Sequence, residues 1–244
     1  MIENREEVEI KKKSRLLGGC FFVGLFLLIG LVVAGIFAYR VYQEYYQYPP
    51  ETGPKEVSYS WSYQGISHSI GLKLYSSSYD YYRRQAKGII TGDEEDSINR
   101  YLKRPTEDGS ISQVSGYLRE IAETAGYDNN QQAELIISFV QALPYDEQRA
   151  LTDKSHPRYP YETLYDGQGI CSDKSLLTVA LLREFYYGTA DFLFPDQVHM
   201  APAIQCPKSH DNFDSGYCLA EVTTIGHRNG LIPDIDPSGG TAGI

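Results

Sequence analysis

The stretch GQGICSDKSLLTVALLREFYYG, residues 167–188, sets a cysteine directly after a Gly-Gln-Gly loop and at the head of a long apolar run. Leu176, Leu177, Val179, Ala180, Leu181, Leu182 and Phe185 cover most faces of a helix, so this helix is expected to be buried. Cys171 opens it and has two readings. It is a nucleophile at the end of a rigid helix, or a small apolar residue that begins a buried one. A thiol is mostly protonated at neutral pH and needs activation, and the unpaired N–H groups of a first helical turn favour the thiolate. Gly167 and Gly169 would let a substrate backbone come close.

A thiolate nucleophile needs a base, and the base needs an orienting partner. His199 heads the strand pattern HMAPAI, and Glu221 lies in the following one, YCLAEVTT. If the two strands form a hairpin with His199 opposite Glu221, both side chains share one face. Cysteine, histidine and acid then come from a helix end and two adjacent strands. Asp234 and Asp236 are reserve acids in a Pro/Gly-rich tail. Gln168 is a candidate to hold an oxyanion beside the backbone N–H of Cys171. Tyr161, with Tyr159 and Glu162, is a candidate to line the cleft.

The chain has four cysteines. Cys206 and Cys218 flank the turn of the expected hairpin and invite a disulfide. The register that pairs His199 with Glu221 puts Cys218 opposite Pro202, however. Four residues of offset is about 13 Å of strand, while a bridge needs Cα atoms within about 7 Å. Both features hold only if the chain leaves the ladder near Pro202 or bulges. No C-x-x-C spacing supports a zinc site, and neither a metal nor an organic cofactor is expected.

Upstream, residues 57–75 are aromatic and β-branched around a Gln-Gly break and predict a two-stranded hairpin. A short helix follows. Two more helices are predicted at about 110–125, stopping at Gly126, and at about 130–142, between an asparagine cap and Pro144. The loop from 143 to 169 is about two dozen residues long, a length that tends to be functional or to contain small elements. The order of hairpin, helices, buried helix and strands predicts an α+β fold.

Residues 16–39, LLGGCFFVGLFLLIGLVVAGIFAY, carry no charge. Roughly 20 apolar residues cross a bilayer as a helix, whereas the apolar core of a cleaved signal peptide is about 7–15 residues. An uncleaved transmembrane helix is expected, with Cys20 as a small packing residue within it. Lys11, Lys12, Lys13 and Arg15 crowd its N-terminal side and predict a cytoplasmic N-terminus at residues 1–15. Tyr39, Tyr42, Tyr45, Tyr46 and Tyr48 fit an outer aromatic belt. The remainder is expected outside the cytoplasm, where disulfides persist: a linker at 40–56, an accessory hairpin region at 57–109 and a main domain at 110–244. The net charge of −10 argues against a nucleic-acid partner, which would need a basic face.

The stretch from about residue 134 to 238 resembles the transglutaminase-like superfamily and looks closest to membrane-anchored prokaryotic members. The resemblance rests on FVQALPYD, RYPYETLYDGQGICSDKSLLTVALLREF, FPDQVHMAPAI and YCLAEVTT. It implies a papain-like α+β fold, with the nucleophile on a central helix packed on an antiparallel sheet. It implies Cys171 as nucleophile, His199 as base and Glu221 at the orienting position, where the superfamily usually carries aspartate. The expected activity is attack on amide or peptide carbonyls through a thioester, resolved by water or by an amine. The expected partners are the bilayer at residues 16–39 and a protein or peptide substrate of the cell envelope or exterior. The rival class is a catalytically silent binding module of the same fold. A thiolate-selective probe separates the two.

Overall fold

The computed structural model describes residues 26–42, 47–88, 95–102, 108–152, 156–194, 199–209, 211–224 and 241–243. The chain divides into two compact units, residues 1–47 and 48–244. In the first, residues 26–42 form helix α1. They continue the apolar run that begins at residue 16. Among the described residues no helix is long and apolar enough to cross a membrane. Residues 16–25, Cys20, the basic flank, Tyr45 and Tyr46 lie outside the described residues.

The second unit begins with a hairpin, β1 (Pro54–Tyr63) and β2 (Ile66–Tyr75), paired antiparallel from Pro54↔Tyr75 to Tyr63↔Ile66. Gln64 and Gly65 form its two-residue turn, both with positive φ, the conformation that matches the twist of the flanking strands. Strict alternation sets the inner face. Tyr59, Trp61 and Tyr63 point inward and Ser58, Ser60 and Ser62 outward. The inner face is not an accessory layer. Tyr59 and Trp61 stack edge-on against Phe139, at 5.7 and 5.3 Å between ring centroids, within one core that also holds Val114, Leu118 and Leu177.

Helices α2 (Ser76–Arg84), α3 (Glu95–Leu102), α4 (Ser110–Ala125) and α5 (Asn129–Gln141) follow. Gly126 ends α4 at φ +67°, a left-handed conformation that glycine adopts without strain. The cap of α5 is Asp128, one residue before the expected asparagine. Its carboxylate accepts the Gln131 N–H at 2.9 Å while Gln131 Oε1 accepts the Asp128 N–H at 3.0 Å. That reciprocal pair fixes the start of the helix. The long loop contains two short helices, α6 (Glu147–Thr152) and α7 (Pro160–Asp166).

Helix α8 (Cys171–Glu184) is buried from Cys171 to Leu182. It packs against α3, α4, α5, α7, β3 and β4. The second sheet has the order β5-β4-β3-β6, all antiparallel, from β3 (Thr189–Phe194), β4 (His199–Gln205), β5 (Tyr217–Leu219) and β6 (Thr241–Gly243). Leu193, Met200 and Ile204 join the core under α8. Phe192, Phe194, Ala201, Ala203 and Leu219 form a second cluster on the other face. The fold is α+β, a buried helix laid on an antiparallel sheet.

Candidate active site

Cys171 is the first residue of α8 and is buried. Its setting is fixed by Asp173, two residues on and fully buried. One Asp173 oxygen accepts the Ile170 N–H at 3.1 Å and pairs with Arg149; the other accepts the Arg158 N–H at 2.7 Å. Such a carboxylate in a first turn satisfies an orphan donor and complements the helix dipole. Gly169 lies so close that a Cβ there would sit 2.8 Å from Asp173 Cβ and 3.2 Å from Thr163 Cγ2, while Gly167 ends α7 at φ +67°. Gly169 is therefore required by the packing of the chain itself and Gly167 by its left-handed backbone. That revises their reading as openings for a substrate backbone.

Gly169 also forms a parallel bridge with Tyr145. The Gly169 N–H donates to the Pro144 carbonyl at 3.1 Å, and the Asp146 N–H to the Gly169 carbonyl at 3.3 Å. The bridge lays the Tyr145 hydroxyl against Cys171, hydrogen-bonded to its backbone and facing its side chain. Burial, reinforced by the neighbouring Cys171, pushes the Tyr145 hydroxyl up to about 12. The oxyanion role expected of Gln168 fits Tyr145 better. Gln168 turns toward a polar pocket shared with Arg149, Arg158 and Glu162, and its carbonyl accepts from Arg158 at 3.3 Å. Tyr161 serves the aromatic core: its hydroxyl accepts the Tyr75 N–H at 2.6 Å, donates to the Tyr75 carbonyl at 3.1 Å, and its ring stacks on Tyr82.

Ser175, one turn after Cys171 on the same face of α8, donates to the Met200 carbonyl at 3.0 Å. That bond registers the start of the helix against the start of β4, where His199 precedes Met200. The β4–β5 register pairs Ala203 with Leu219, Ile204 with Cys218 and Gln205 with Tyr217. This is shifted by two residues from a hairpin that would place His199 opposite Glu221. Pro202 accounts for the end of the ladder. Its carbonyl accepts the Ala220 N–H at 2.8 Å, so its own nitrogen faces β5 as well and has no proton to give. Glu221 thus lies past the end of β5 rather than within it.

Glu221 nevertheless reaches His199, with Oε2 3.9 Å from His199 Nε2. Its other oxygen accepts from the backbone N–H and hydroxyl of Thr223. Its carbonyl accepts from Gln141 Nε2 at 2.6 Å, which ties the acid segment to the end of α5. His199 Nε2 is buried without a hydrogen-bond partner among the described residues. Burial lowers the His199 pKa below its ordinary value, and Glu221 opposes that shift. The ring is therefore neutral at neutral pH, as a general base requires. Lys174, fully buried three residues after Cys171, donates to the carbonyls of Leu143 at 2.8 Å and Gln141 at 3.3 Å. Burial brings it down to about 8, against the pull of Glu221.

Cys206 and Cys218 form a disulfide with Cα atoms 5.7 Å apart. The two-residue shift in register makes this compatible with the His199–Glu221 contact. Cys206 lies just past β4, its N–H donating to the Gly216 carbonyl at 3.0 Å, and the bridge runs diagonally to Cys218. Asp234 and Asp236 lie outside the described residues. Tyr145, Asp173 and Lys174 are the members of this arrangement that the sequence reading passed over. The Asp173 role was visible as an acid in the first turn of a helix. The Lys174 and Tyr145 roles arise only from how α5 and its loop cross α8.

Residues 97–205 match the family described as the transglutaminase-like domain. No curated protein matches the chain. The matched segment begins ahead of residue 134, where the resemblance in the sequence starts. It includes Cys171, His199, Tyr145 and all of α8, and it ends immediately before Cys206; Glu221 and the β1–β2 hairpin lie outside it. The match supports a transglutaminase-like domain within residues 97–205, the segment that holds the helix-borne cysteine and the strands β3 and β4 on which the helix lies.

Proposed function

We propose that this protein is a membrane-anchored cysteine enzyme of the prokaryotic type, with its catalytic unit outside the cytoplasm, acting on amide or peptide carbonyls. Cys171 is the nucleophile, His199 the general base and Glu221 its orienting partner. His199 takes the thiol proton as Cys171 sulfur attacks the carbonyl carbon. The tetrahedral intermediate collapses, the C–N bond breaks, and the imidazolium returns the proton to the departing amine. The resulting thioester is cleaved by water or by an incoming amine, with His199 again carrying the proton. The His199–Glu221 contact puts Nε2 toward the acid and leaves Nδ1 for the thiol.

The observation that carries this reading is the buried His199–Glu221 pair set beside the start of α8 by the Ser175–Met200 bond. Two observations support the location. A disulfide at Cys206–Cys218 suits an oxidising compartment. Residues 26–42 expose large apolar side chains such as Phe26, Leu31 and Phe37, a surface that lipid would cover. The test is iodoacetamide labelling of the full chain in detergent micelles, followed across pH with the labelled cysteine mapped. Fast labelling of Cys171, titrating below the ordinary thiol range of about 8.5 and lost in His199→Ala, is the expected result. Slow labelling that His199→Ala leaves unchanged overturns the reading in favour of a silent binding module.

A further inference from the structure

We infer that the outer edge of β1 is a docking strand for the extended polypeptide segment that carries the scissile or transferred carbonyl. This rests on the proposed role of Cys171 and adds the substrate class and its mode of binding. A groove of about 380 Å³ runs beside β1. Its lining includes Val57, Ser58, Tyr59, Ser60 and Trp61, five consecutive residues. Successive side chains of a strand leave opposite faces, so a groove that touches all five runs along the strand's backbone edge. No β2 residue lines it. β1 pairs with β2 alone among the described residues, and the groove follows the side that β2 leaves open.

Exposed strand edges are normally guarded by charge or proline because their unpaired N–H and C=O groups template another strand. β1 has such guards at Pro54, Lys55 and Glu56, but Val57–Trp61 carries neither. The far wall carries the apolar side chains of Phe139, Leu143 and Pro144 together with Tyr165 and one acid, Asp166, which is paired with Arg158. Lys55 closes the first end, with Nζ donating to the Tyr165 carbonyl at 2.5 Å. An occupant therefore meets a row of backbone groups on one side and a mixed wall of apolar side chains and one acid on the other. An extended peptide matches that: main-chain bonds supply affinity and alternate side chains enter apolar pockets. A compact or strongly charged ligand does not.

The groove ends at residues that adjoin the candidate active site in the chain. Pro144 and Gly167 flank the Tyr145–Gly169 bridge that fixes Cys171. A chain laid along β1 is thus led toward the loop that presents the thiol.

Trp61 is the single tryptophan of the chain, so its emission reports occupancy directly. The test uses the full chain carrying Cys171→Ala in detergent micelles, which separates docking from turnover. The probe is a tryptophan-free decapeptide of alternating Thr and Val with a central Gln, compared with the same peptide N-methylated at alternate backbone positions. The expected result is a saturable change in Trp61 emission, weakened at least about tenfold by N-methylation, which removes main-chain donors. Ser60→Lys, which guards the edge without disturbing the inner face, should weaken it comparably. No saturable response, or equal binding of both peptides, overturns the inference whatever the labelling of Cys171 shows. A response replaced by concentration-dependent dimerisation that Ser60→Lys abolishes assigns the edge to a second copy and overturns it as well.

Discussion

His199 Nε2 and Glu221 Oε2 are 3.9 Å apart, and both groups are largely withdrawn from solvent. That is too long for a hydrogen bond, yet close enough for the carboxylate to favour the imidazolium that the proposed acyl transfer would form. The bonds from Thr223 fix the other carboxylate oxygen, so the acid is held by its own segment and only slightly short of the ring. A glutamate, with one methylene more than aspartate, reaches the histidine from beyond the end of the ladder.

Glu221→Gln keeps the shape and removes the charge. Turnover is expected to fall by about 10²–10⁴-fold, with iodoacetamide labelling of Cys171 slowed in parallel and the melting temperature little changed. Thr223→Val, which frees the acid without neutralising it, should give a smaller loss. Equal turnover of Glu221→Gln and wild type would remove Glu221 from the mechanism.

Tyr145→Phe tests the residue against Cys171. The hydroxyl is bonded to both the backbone and the side chain of Cys171 and is kept protonated by burial, so in the proposed reaction it is a donor that can turn from the sulfur to a developing oxyanion. Loss of one such donor costs about 10²–10³-fold in kcat, with KM little altered. A rise in KM at constant kcat would instead make Tyr145 a binding residue only.

The buried helix, the hairpin and the candidate triad are legible in the sequence because each rests on local pattern. Apolar residues cover most faces of 171–185, serine and aromatic residues alternate along 57–63, and the Cys, His and Glu blocks come in order. The His199–Glu221 register is not legible, because it depends on a missing N–H at Pro202 that ends a ladder in which Cys218 has already been placed. The same limit hides Lys174. A lysine inside an apolar helix reads as a solvated position until α5 brings two orphan carbonyls to it.

Lys174→Met should lower stability at pH 7 by about 1–3 kcal/mol, because the Gln141 and Leu143 carbonyls lose their donor. The pH dependence has a definite sign. Folding lowers the Lys174 pKa to about 8, so between that value and the unfolded value of about 10.4 the unfolded chain holds more protons. Wild-type stability from this group rises with pH through that window, and the deficit of Lys174→Met relative to wild type widens. Urea denaturation at pH 7 and pH 9.5 measures the difference. A deficit that stays constant or narrows contradicts the assignment.

Asp191 gives the opposite sign. It lies in β3 with neither carboxylate oxygen hydrogen-bonded among the described residues. Burial raises it to about 7, against the pull of Arg183. Between the unfolded value of about 3.9 and that folded value the native state holds the extra proton, so this group's contribution to stability falls as pH rises through the window. Asp191→Asn keeps the shape without the ionisation. It should be within about 1 kcal/mol of wild type at pH 4.5 and more stable by about 4 kcal/mol, on the order of 1.4 per pKa unit, at pH 8. Thermal unfolding at the two values distinguishes this from a carboxylate that the fold needs charged, for which Asp191→Asn would be the less stable protein at pH 8.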